Sequence, residues 1–93
     1  MLNFKAKYKD KSYNLFAEIE YEGPKRMQIR ITGTRFPLLL QNDWPLIKHT
    51  KEKTAIHWQI IEGKKVLSTP AEGAFIAAIY KNLEEYLKNL PAI

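Results

Sequence analysis

No cysteine occurs in this chain, which excludes disulfides, thiolate metal sites and thiol nucleophiles together. Glycine is scarce: the four present are scattered, so no phosphate-cradling loop can be built from them. Histidine is scarcer still. His49 and His57 fit neither the His-Glu-x-x-His pattern nor any zinc spacing, and an alternating strand makes His57 structural or solvent-facing. Ser12 and Ser68 lack a Gly-x-Ser-x-Gly elbow. Uncharged runs such as Phe36 to Asn42 fall far short of a membrane span. The opening "MLNFKAKYKDK" has neither the apolar core nor the cleavage site of a signal peptide, so the expectation is a soluble, cytoplasmic protein.

What is present is a globular composition, 45% hydrophobic and 27% charged, with a net charge of +5. Residues 1–93 form a single domain, large enough to bury about 60–65% of the surface its unfolded chain exposes.

The first third of the chain has a period of two. Leu2, Phe4, Ala6 and Tyr8 alternate with Asn3, Lys5, Lys7 and Lys9, and Tyr13, Leu15, Ala17, Ile19 and Tyr21 continue the apolar row. A two-residue turn at Asp10-Lys11 sets Tyr8 against Tyr13, Ala6 against Leu15 and Phe4 against Ala17. A turn through Gly23-Pro24-Lys25 starts a third strand, "RMQIRIT", with Tyr21 against Met27 and Ile19 against Ile29. The other face then pairs Glu22 with Arg26, Glu20 with Gln28 and Glu18 with Arg30. An acidic strand between two basic ones predicts that much of the positive charge is matched within the sheet.

Pro37 and Pro45 bracket an apolar segment that reads as a short edge strand at about Leu38–Gln41, followed by a turn at Asn42-Asp43. "TAIHWQIIEGKKVLST" reads as a hairpin turning at Glu62-Gly63-Lys64, with Val66 and Leu67 on the return. Thr69, Pro70 and Glu72 form a capping box. The helix that follows runs to about Asn89, with Ile76, Ile79, Leu83, Tyr86, Leu87 and Leu90 on one stripe, widened by Phe75 and Tyr80. The expected fold class is α+β: an antiparallel β-sheet of five or six strands, an N-terminal three-strand meander plus a later hairpin, with one C-terminal α-helix packed on one face.

Nothing here assembles a catalytic group, a cofactor site or a metal site, and the chain is expected not to be an enzyme. Two partner classes fit. Another protein chain, or a second copy, would meet the apolar segment 36–47 through Phe36, Leu39, Trp44 and Ile47. Alternatively, Lys5, Lys7, Lys9 and Arg35 around an outward-facing Phe16 would hold single-stranded nucleic acid, the aromatic stacking on a base. No run of residues is specific to one protein family.

Overall fold

Alternating apolar side chains make β1 (Leu2–Tyr8), β2 (Lys11–Glu22) and β3 (Met27–Thr32). β4 (Leu38–Asn42), α1 (Trp44–Ile47), β5 (Trp58–Glu62) and α2 (Pro70–Lys88) follow. The structure, a computed structural model, describes residues 2–34, 37–48, 55–63 and 70–89. All five strands lie in one antiparallel sheet in the order β1-β2-β3-β4-β5, and α2 covers one face. The α+β architecture read from the sequence is therefore the architecture observed. The sixth strand, Thr69 and Leu90 lie outside the described residues.

The first hairpin turns one step earlier than the sequence suggests. Lys9-Asp10 is the loop, Lys9 takes a φ of 56°, and Tyr8 pairs with Lys11. A positive φ at the first loop residue is what a primed hairpin turn demands. The register moves by two: Phe4 faces Leu15 and Ala6 faces Tyr13, rather than Ala17 and Leu15. A two-residue shift preserves the faces, so the apolar row still points to the helix. It also sets Tyr8 and Tyr13 diagonally, where both meet Phe75 edge-on at 5.5 and 6.2 Å between centroids.

The second correction is a bulge. β2 and β3 pair as expected from Phe16–Thr32 to Ile19–Ile29, then slip, so that Tyr21 faces Gln28 and Glu22 faces Met27. Glu20 is the extra residue. Tyr21 therefore joins the outer face instead of the core, and the pairs Tyr21–Met27, Glu20–Gln28 and Glu22–Arg26 do not form. The Arg26 guanidinium lies 5.6 Å from the Tyr21 ring centre.

β4 is internal, not an edge strand, because β5 pairs along its far side. The prolines permit this. Pro37 precedes the strand, and Pro45 sits in the first turn of α1, where its missing N–H goes unused. Asn42 ends β4 instead of turning, and its Oδ1 accepts the Trp44 N–H at 2.9 Å. On β5, Trp58 and Ile60 face inward with Ile56 just before them, so His57 and Gln59 fall on the outer side.

The core is one cluster. Leu15, Met27, Ile31, Leu38 and Leu40 from the sheet meet Phe75, Ile79, Leu83 and Leu87 from α2. Trp58 ties β5 to the helix, stacking on Tyr80 at 4.8 Å and donating Nε1–H to Glu84 at 2.9 Å. Burial among these groups raises the Tyr80 hydroxyl pKa. Glu72, near the start of α2, accepts a hydrogen bond from the Tyr8 hydroxyl at 3.2 Å. Among the described residues no helix is long and apolar enough to cross a membrane.

Gly33 and Gly73 make opposite predictions. Gly33 has a φ of 98°, and a Cβ there would strike the Asn14 carbonyl oxygen; Gly73 faces open space on α2. Gly33→Ala should lower unfolding free energy by about 1–3 kcal/mol, whereas Gly73→Ala should raise it by about 0.5–1 kcal/mol. Urea denaturation of both variants measures the contrast.

Candidate interaction surface

β1 and β2 end unevenly, and that mismatch creates the most unusual corner of the molecule. β1 pairs only with Lys11–Ala17, whereas β2 continues to Glu22. Among the described residues no strand lies against Glu18–Glu22 on the β1 side, and none lies against the outer edge of β1. Backbone N–H and C=O groups on such edges are free to pair with another chain.

Ile19 points to the helix side but is 43% exposed, because α2 does not reach that far along β2. Beside it a crevice of about 230 Å³ opens between Leu2, Ala17 and Ile29 of the sheet and Leu83, Tyr86 and Leu87 of α2. A second crevice lies between the β1 edge, at Leu2 and Phe4, and α2 at Asn82 and Tyr86.

Charge is distributed by this mismatch. The pleat puts Lys5 and Lys7 on the outer face, opposite Asn14 and Ser12 rather than opposite glutamates. Lys9 lies over the Tyr8 ring, its Nζ 5.5 Å from the ring centre. The acids Glu18, Glu20 and Glu22 stand beyond the end of β1. The expected acidic strand is thus flanked by a basic one in sheet order, but the two charges occupy different ends. Among the described residues, charge matching within the sheet centres on Arg30 of β3. Arg30 bonds Glu20 at 2.9 Å and Glu62 at 2.7 Å, although Glu18 is the residue opposite it in register. Hydrogen bonding from Arg30 holds the Glu62 carboxyl below its usual range.

Phe16 stands on the outer face between Asn3 and Thr32, 38% exposed; the two-residue shift puts Asn3 where the sequence suggested Lys5. Lys5 is its diagonal neighbour across the hairpin, at a typical spacing of about 7–8 Å. Tyr21, 45% exposed, is a second outer-face aromatic that alternation alone would have turned inward. The structure therefore places Lys5, Lys7 and Phe16 on one face, with Lys9 at the hairpin tip. Arg35 lies outside the described residues.

The apolar segment is mostly turned inward. Leu39 is 7% exposed although it sits on the outer face; Arg30 and Glu62 flank it in register, and their ion pair spans it. Trp44 and Ile47 pack against the core, Pro45 is buried, and Leu46 is exposed. Phe36 lies outside the described residues. His57 is solvent-facing, with Nδ1 2.7 Å from Asp43 Oδ2, while its backbone N–H donates to Asp43 Oδ1 at 2.8 Å. Partial burial alone would raise the Asp43 carboxyl pKa, but the His57 bonds outweigh it and hold the group below its usual value. No group of three metal-ligating side chains occurs among the described residues.

Comparison with the profiles of known protein families, with curated proteins and with solved structures finds no match to this chain.

Arg30 gives a pH prediction with a definite sign. A carboxyl held low by folding contributes stability above its unfolded pKa, about 4.3 for Glu, and that contribution disappears as pH falls through the lower folded value. Arg30→Met should therefore lower the melting temperature at about pH 7 and change it much less at about pH 2.5. Equal losses at both pH values would refute the electrostatic role.

Proposed function

We propose that the chain is a non-enzymatic binding module that accepts an extended segment of another protein chain along the free edge of β1. The observation that carries this reading is the outer edge of β1, against which no strand lies among the described residues, as none lies against Glu18–Glu22 of β2 beside a partly uncovered Ile19. Strand addition draws affinity from main-chain hydrogen bonds and selectivity from alternate side chains. An added strand would meet Asn3, Lys5 and Lys7 on the outer face and Leu2, Phe4 and Ala6 on the helix side. Acidic residues alternating with apolar ones complement those two rows. Edge lysines ordinarily discourage pairing; beside an acidic strand the same charges become attractive. The apolar segment 36–47 supports a protein partner less well, since Leu39, Trp44 and Ile47 already pack within the chain.

The test uses a synthetic peptide alternating glutamate and valine, titrated into the isotopically labelled protein. Amide shifts should concentrate in residues 2–8, and Lys5→Glu/Lys7→Glu should weaken binding at least tenfold. Shifts spread over other elements, or no binding, would remove the reading.

One observation favours a second reading, single-stranded nucleic acid on the outer face: Phe16 is exposed with Lys5 as its diagonal neighbour, and neither Lys5 nor Lys7 has a carboxylate opposite it. Base stacking on one aromatic contributes about 1–3 kcal/mol. Binding of an oligonucleotide should then fall with salt at a log–log slope of about −0.7 per phosphate contact, and Phe16→Ala should weaken it at least fivefold. Unchanged binding by that variant would eliminate the stacking site.

A further inference from the structure

The first hairpin decides which backbone groups the β1 edge offers. Tyr8 and Lys11 flank a two-residue loop, so they exchange both backbone hydrogen bonds, and alternation makes Ala6–Tyr13 and Phe4–Leu15 pairs of the same kind. The N–H and C=O groups of Asn3, Lys5 and Lys7 therefore point away from β2. Side chains of a strand bonded to them would alternate between the outer row of Lys5 and Lys7 and the space beneath α2.

That space is bounded by one flank of the helix. α2 runs opposite in direction to β1: Tyr8 meets Glu72 and Phe75 near its start, whereas Leu2 and Phe4 meet Asn82 and Tyr86 near its end. The helix from Glu72 to Tyr86 and the strand from Tyr8 to Leu2 are each about 20 Å long, at about 1.5 and about 3.3 Å per residue, so the two keep pace. Ala78, Asn82, Glu85 and Asn89 recur at helical spacing and form a single stripe. Its last three members line the crevice with Phe4, while Glu84 and Tyr80, on the other flank, hold Trp58.

The chemistry changes along this flank. Midway, alongside Ala6, the helix offers only the small Ala78. Beside Phe4 it offers Asn82, Glu85, Tyr86 and Asn89, around a crevice of about 370 Å³. Asn82 Nδ2 donates to the Ala78 carbonyl at 2.8 Å, which leaves Oδ1 to accept. Lys81 and Lys88 lie one turn away on α2, yet Glu85 has no ion pair among the described residues. Acceptor oxygens thus stand over an apolar floor made by Phe4 and the Tyr86 ring.

We infer, resting on the strand-acceptance reading, that the segment accepted by β1 carries an arginine on its helix-facing side, seated in this crevice. Its aliphatic stem lies on Phe4 and Tyr86, and its guanidinium meets the Glu85 carboxylate and Asn82 Oδ1. Lysine brings a compact point charge, whereas the planar guanidinium can donate to both oxygens at once. The partner sequence has three requirements: acidic residues opposite Lys5 and Lys7, an apolar residue under Ala78, and arginine at the next helix-facing position, beside Phe4.

The test replaces each valine of the glutamate–valine peptide in turn by arginine and titrates every peptide into wild type and Glu85→Gln by calorimetry. One replacement should tighten binding at least fivefold, and the others should weaken it or leave it unchanged. Glu85 is exposed, so Glu85→Gln keeps the core intact; it should bind the parent peptide as wild type does and lose the arginine gain. Glu85→Arg should prefer glutamate at that same position. No gain at any position, an equal gain at all of them, or a gain that survives Glu85→Gln would overturn the inference. Amide exchange separates that failure from failure of strand acceptance. Slowed exchange at Asn3, Lys5 and Lys7 on adding the parent peptide shows the edge occupied whatever arginine does, and exchange that stays fast there removes both.

Discussion

A strand shows a helix laid across it only every second residue, and β2 is longer than the width α2 covers. Most of the molecule follows from that mismatch. Leu15 and Ala17 lie under the helix and are buried, whereas Ile19, next in the same row, is nearly half exposed. β1 supplies a floor for the helix from Leu2 to Tyr8, and among the described residues no strand lies on that side of β2 past Ala17. The bulge falls in this unsupported stretch, where turning Tyr21 outward removes no buried contact.

The same mismatch governs the electrostatics. Had β1 run alongside the acidic part of β2, its lysines would have been matched across the ladder and the outer face would be close to neutral. Instead the hairpin end is basic, the overhang is acidic, and Arg30 balances only the carboxylates it can reach. A surface with opposite signs at its two ends favours partners of defined orientation over adsorption of any polyanion. For that reason the protein partner ranks above nucleic acid, although Phe16 and its neighbouring lysines share one face.

Much of the fold was legible because the pleat tolerates a register error of two. Placing the first turn at Asp10-Lys11 instead of Lys9-Asp10 moved every partner and left every face intact. A bulge is different. Nothing in the run Glu18 to Glu22 marks Glu20 as the extra residue. Pro37 and Pro45 misled in the opposite direction: proline disfavours an interior strand only from within it, and these two flank β4. The Asp43–His57 pair was invisible because its partners meet only after β4, α1 and β5 are in place. As for the candidate surface, the sequence named Lys5, Lys7, Lys9 and Phe16 but not their separation from the glutamates, which depends on where β1 ends.

On the outer face, Gln28, Gln41 and Gln59 form a chain across three strands, each side-chain amide N–H donating to the next carbonyl oxygen at 3.0 and 3.1 Å. These groups do not titrate, and dissolved ions screen them far less than they screen whole charges. Where brine or acid loosens the grip of Arg30 on its carboxylates, the amide chain one row away keeps β3, β4 and β5 in step.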